Sequence, residues 1–182
     1  MKMALGFRAH SGWAAMVAAA GSIAAPRVLD RRRVIIADGT RQPFHAAEGL
    51  PFPDAEALIR KATESAQGLA YEALEAAVKS LQRQGHEVVA SAVLMNSARP
   101  LPGLEAVLRS HALIHTAEGA LFREALIHAA RRHGLPVVCP REKELDDGLL
   151  AAIAPLGMHL GPPWTQDQKY AAAGALMALS GS

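Results

Sequence analysis

The sequence predicts an α/β fold whose mixed sheet opens with three antiparallel strands and carries helices on both faces. Three observations point there. The first 38 residues alternate loosely and are broken by glycine turns. A long amphipathic stretch from Asp54 to Gln84 leads into the apolar run Glu87–Met95. Ser110–Cys139 then joins a helical pattern to the short apolar segment Leu135–Cys139. Helix periodicity followed twice by a short apolar run is the signature of strand–helix alternation.

Met3–His10 ends at Ser11-Gly12, a hairpin turn, and Trp13–Ala20 returns as the second strand. Gly21–Pro26 is a further turn, and Arg27–Asp38 is the third strand, with Val34, Ile35 and Ile36 at its apolar end. Pro43, Pro51 and Pro53 argue against regular structure over residues 39–53. Asp54 has the character of an N-cap. The helix that follows carries the stripe Leu58, Ala62, Ala66, Leu69, Ala73, Ala77 and Leu81, and Gly85 closes it.

In the central unit, Phe122, Ala125, Leu126, Ala129 and Ala130 recur at helical spacing. Gly134 sits at the C-cap position behind Arg131 and Arg132. The start of this helix is open between Leu104 and Thr116. If it starts early, His111, His115 and Glu118 share one stripe with Phe122. Cys139 closes the apolar run and is expected to be a buried thiol. Lys143–Ala154 is a short helix stopped by Pro155 and Gly157. Thr165 and Gln168 form a capping box that opens a final helix to about Leu179.

Composition narrows the functional classes. The chain has 182 residues, 51% of them hydrophobic but only 4% aromatic, so its core is built from small side chains. No linker divides it, and residues 1–182 are expected to form a single domain. A net charge of +2 gives no global field for nucleic acid, and Arg31-Arg32-Arg33 is the only triple basic run. One cysteine excludes an internal disulfide and fits a reducing, cytoplasmic setting. No segment reaches the roughly 18 apolar residues of a membrane span, so no membrane partner is expected. Lys2 and Arg8 before an Ala-rich stretch imitate a secretory signal. The stretch lacks leucine and contains Gly12 and Gly21, so a strand is the reading adopted.

Together, GFRAHSGWAAMV, AEGALFREALIHAARRHGLPVV and DQKYAAAGALMAL make the chain resemble the ribonuclease H-like fold, most nearly its Holliday-junction-resolvase branch. The resemblance implies a three-layer α/β architecture. It also implies carboxylates on the first strand, near the end of the fourth strand and at the last helix, which hold two divalent metals about 4 Å apart. Here the first-strand position is Arg8, the fourth-strand end reads Leu94-Met95-Asn96, and only Asp167 matches. A guanidinium repels Mg²⁺, and one carboxylate makes no two-metal site. The resemblance thus implies a binding or interaction module for nucleic acid or a nucleotide, with a degenerate site. The alternative is a phosphodiester hydrolase in which Glu118, Asp167 and His115 are catalytic, and only then is Mg²⁺ or Mn²⁺ a cofactor. A structural homo-oligomer built on the Ala-rich final helix is the second alternative.

Several groups are candidates for binding. Arg8 and His10 can take an anion, or Arg8 can pair with Glu118 or Asp167; the ion pair is the preferred reading. Asp167 in a first helical turn is also stabilised by the helix dipole. Trp164 beside Pro162-Pro163 is either a stacking platform or a plug at the core edge.

The pattern His-x-Ala-Glu-Gly-x-x-Phe occurs twice, from His45 through Glu48 to Phe52 and from His115 through Glu118 to Phe122. Two converging His/Glu pairs can form a polar, metal-binding site. Coincidence or two helix-entry turns is the preferred reading, because the flanking contexts differ. His111, His115 and Glu118 have ligand-like spacing but no His-Glu-x-x-His, and no residue is assigned to a metal. Glu118 is the best candidate for a functional carboxylate, because its stripe faces inward.

Overall fold

The computed structural model describes residues 1–96 and 100–181. Strands β1 (Lys2–His10), β2 (Trp13–Ser22) and β3 (Ala25–Ile35) form an antiparallel meander. Gly12 takes a left-handed φ of 80° at the first turn, a conformation glycine adopts without steric cost. The second turn is tighter than expected. Both strands run past Gly21 and Pro26, which face each other across the ladder.

Helix α1 (Pro43–Ala47) lies where the prolines argued against regular structure. Pro43 opens it, and a first-turn proline is tolerated because its missing N–H would have no helical partner. Helix α2 spans Phe52–Arg83, so Asp54 is a first-turn acid and not the cap. Its buried row is Ala66, Ala70, Leu74, Ala77, Val78 and Leu81, rotated from the expected stripe, and Leu58 and Leu69 are only partly covered.

Strand β4 (Glu87–Val93) pairs parallel to β1, and β5 (Val137–Val138) pairs parallel to β4. The sheet order is β3-β2-β1-β4-β5. Short α3 (Leu104–Leu108) precedes α4, which starts at His111 and ends at Arg132, settling where the central helix begins. Because β5 is only two residues long at the sheet edge, Cys139 is exposed rather than buried. The expected helix from Lys143 is a 3₁₀ turn followed by α5 (Asp147–Ile153) and α6 (Gly157–Leu160). Helix α7 (Gln166–Ser180) closes the chain, and Gln168 Oε1 accepts the Thr165 N–H at 2.9 Å. Among the described residues no helix is long and apolar enough to cross a membrane.

Alternation along β1 creates two unlike cores. Met3, Leu5 and Phe7 face α2 and α4 with Met16, Leu74, Phe122 and Leu126. Ala4 faces α7, where Val17, Ala19, Ala90 and Ala92 meet Ala171, Ala172 and Ala175. Small residues on both sides let α7 lie close on the sheet. The alanine face expected to meet a twin is thereby consumed by the chain's own strands.

Candidate functional site

The carboxyl ends of β1 and β4, two parallel neighbours, meet the first turn of α7. In open α/β sheets such a crevice at strand ends is where ligands collect. Arg8 and His10 leave β1 on the α7 side, opposite to Phe7. Arg8 Nη1 donates to Asp167 Oδ1, while its Nε and Nη2 donate to Glu142 at 2.8 and 3.1 Å. The two-point contact with Glu142 is the fork geometry in which guanidinium–carboxylate bonds are strongest. Arg8 also lies over the Tyr170 ring, 5.0 Å from its centroid. Its side chain retains 19% exposure, so the contact is only partly withdrawn from solvent.

Glu142 was not anticipated from the sequence. It is brought in by backbone bonds beyond β5: Met95 bridges Arg141, and the Glu142 N–H donates to Met95 O at 3.1 Å. A single acid in a polar stretch after a two-residue strand carries no periodic signal. The expected ion pair of Arg8 with Asp167 is present, whereas Glu118 is not its partner.

The electrostatics follow the contacts. The hydrogen bond to Glu142 raises the Arg8 pKa above its ordinary value despite partial burial, with Asp167 adding to the effect. Burial works to raise the Asp167 pKa, but hydrogen bonds from His10, at 2.9 Å, and Arg8 outweigh it and hold the carboxyl below the usual range. Arg123 of α4 is a second cation near Glu142, only 7% exposed, and its Nε has no hydrogen-bond partner among the described residues. Burial lowers its pKa, and the attraction of Glu142 and Glu124 only partly offsets this.

The rim is aromatic and basic. His10 stacks on Trp13 at 4.3 Å, and Arg33 covers the other face of the indole at 3.9 Å. The triple arginine run is not a free patch. Arg31 is spent on the carbonyls of Leu160 and Gly161, at 2.6 and 2.8 Å, and Arg32 pairs with Asp30. Trp164 is half-buried, with its ring packed against Gly157 and its indole nitrogen enclosed.

Glu118 and His115 lie in the α2/α4 layer, on the opposite side of the sheet from Asp167. The structure does not bring these three together. Glu118 Oε1 instead accepts the N–H groups of Phe44 and His45 at 2.9 and 3.0 Å and faces His45 Nδ1 at 3.1 Å. Gln42, the N-cap of α1, makes no side-chain cap bond; Glu118 satisfies those amide donors from another helix. The two copies of the repeated motif do converge, contrary to the preferred reading: the His45 and His115 rings stand 4.7 Å apart. Glu48 reaches His111 Nδ1 at 4.0 Å.

No protein-family model matches the chain, and no curated protein matches it in sequence. Solved structures do match in shape, and two of them are RuvC structures. T. thermophilus RuvC in complex with a Holliday junction substrate superposes with a TM-score of 0.56 at 15% identity, covering 97% of this chain and 91% of that one. A second Thermus thermophilus RuvC structure gives 0.52 at 15% identity, covering 96% and 91%. The chain therefore has the ribonuclease H-like fold of RuvC, as the order of its strands and helices led us to expect.

Proposed function

We propose that residues 1–182 form a single domain that binds nucleic acid through the β1/β4/α7 crevice and does not cleave it. The observation that carries this reading is the Arg8 guanidinium held by both Glu142 and Asp167. The resemblance expects carboxylates there with lone pairs free for two divalent metals. In this chain both nearby acids are committed to a fixed cation, which also repels Mg²⁺ or Mn²⁺. Arg33, exposed at the rim, and Arg123, buried near Glu142, then supply positive charge beside the crevice, and the similarly folded RuvC is known in complex with a Holliday junction substrate. Phosphate contacts from such cations position a backbone without reading sequence.

The test is fluorescence anisotropy with labelled four-way-junction, duplex and single-stranded DNA, paired with a cleavage assay in Mg²⁺ or Mn²⁺. We expect saturable binding that weakens steeply with salt, as counterion release requires. We expect Arg33→Ala to weaken it and no strand to be cut. Metal-dependent scission that disappears in Asp167→Asn would overturn the non-cleaving reading. Absence of binding to all three DNAs at low salt would overturn the nucleic-acid reading.

A further inference from the structure

Across the sheet from that crevice, three imidazoles converge without any role in it. His45 comes from α1, and His111 and His115 stand one turn apart on α4. One ring nitrogen from each lies within 4.8 Å of the other two. His111 Nε2 and His115 Nε2 face each other at 3.1 Å. At a Zn–N distance of 2.0–2.1 Å, tetrahedral geometry puts neighbouring ligand nitrogens about 3.3 Å apart. That pair is thus already at coordination spacing.

The surroundings select which nitrogens face the centre. Glu118 Oε1 can only accept, so the 3.1 Å contact makes His45 Nδ1 the protonated nitrogen and leaves the Nε2 lone pair free. A carboxylate behind the ring is the usual way proteins orient a metal-binding histidine. Glu118 is itself fixed, because it is 3% exposed and holds two α1 amides. His111 carries the same arrangement more loosely, with Nδ1 toward Glu48 at 4.0 Å and Nε2 toward His115. His111 and His115 are exposed, so an ion can reach them from solvent.

We propose that His45, His111 and His115 bind a divalent transition metal, Zn²⁺ by ligand chemistry, through three Nε2 atoms, with a fourth position open to water or a ligand atom. Imidazoles suit Zn²⁺, whereas Mg²⁺ and Mn²⁺ prefer oxygen donors. The site also joins α1 to α4, so the ion stabilises the segment that precedes α2.

The proposal is tested by calorimetric titration of the untagged full chain with Zn²⁺, and with Co²⁺ as a spectroscopic probe. We expect one saturable site, visible Co²⁺ bands of tetrahedral intensity, and no competition from excess Mg²⁺. His111→Ala and His115→Ala, both at exposed positions, should each weaken Zn²⁺ binding at least as much as loss of an outer-shell partner does, about 10- to 100-fold. Glu118→Gln should weaken it by about 10- to 100-fold through loss of the outer carboxylate. Failure of the wild-type chain to bind Zn²⁺, or binding that survives both histidine variants, would overturn the proposal. Neither outcome bears on the DNA measurements, which probe the other face of the sheet.

Discussion

The Arg8 guanidinium and the Asp167 carboxylate join β1 to the first turn of α7, two positions 159 residues apart in sequence. Glu142 completes the contact from a third segment, so one side chain ties together three separate parts of the chain. Taking away the cation leaves two partly buried acids facing each other, which is costlier than losing a surface pair.

Arg8→Met should therefore destabilise the fold by about 2 kcal/mol, less than for a fully buried pair because part of Arg8 remains solvated. In a chain of this size that corresponds to a fall in Tm of roughly 4–8 °C. Arg8→Asp should fall further in metal-free buffer and recover on addition of Mn²⁺, since three carboxylates would then surround one space. Wild-type Tm should not respond to Mn²⁺ through this site. Thermal unfolding of the three proteins with and without the ion decides the matter, and an unresponsive Arg8→Asp would mean the acids cannot converge on a metal.

Asp167 makes the pH dependence specific. Its folded-state pKa is depressed below the ordinary 3.8, so its contribution to stability is complete above that value. It is lost as pH falls through the lower folded value, because the unfolded chain takes up the proton first. Asp167→Asn should flatten this acid limb. Urea unfolding between about pH 4 and pH 2 should show the difference, and parallel acid limbs would refute the assignment.

The layers of this fold are readable in the sequence because periodicity reports burial. The alternation in β1 and β2, the α2 repeat and the Thr165 capping box each reflect a local physical need. What escaped were features created by distant contacts. Helix α1 is capped by Glu118 from another helix, so Pro43 and Gln42 gave no helix-start signal beyond the proline itself. Glu142 reaches Arg8 through a bridge between Met95 and Arg141 that no spacing rule contains. The convergence of His45 with His115 rests on the packing of α1 against α4, and the repeated motif was its only trace. Arg8 and Asp167 were legible as partners because a cation and an acid stood where the resemblance expects two acids.

Glu118→Ala should cost about 3 kcal/mol, combining the loss of two amide caps with a buried void. Glu118→Gln should cost about 1 kcal/mol, because its carbonyl oxygen still accepts the amides. The local signature is faster hydrogen exchange at the Phe44 and His45 amides in Glu118→Ala, with α7 amides unchanged. Uniform loss of protection across the chain would show that Glu118 supports the whole core rather than α1.

Gly6 decides how near α7 can come to the sheet. A Cβ there would lie 1.8 Å from Ala171 O and 2.9 Å from Ala175 N, both backbone atoms of a helix that cannot yield locally. Gly6→Ala must therefore push α7 away, and we expect a loss of at least about 3 kcal/mol, the upper range for overpacking. Gly174, on α7 itself, is different. A Cβ there would meet the side chains of Leu94 and Ala92 at 3.2 and 3.3 Å, where Leu94 can shift. Gly174→Ala also gains about 1 kcal/mol of helix propensity, so its net effect should be close to zero. Because Asp167 rides on α7, only Gly6→Ala should also disturb the Arg8 contact, visible as a changed His10 ring signal in NMR. Equal Tm losses in the two variants would mean that close approach of α7 is not what Gly6 provides.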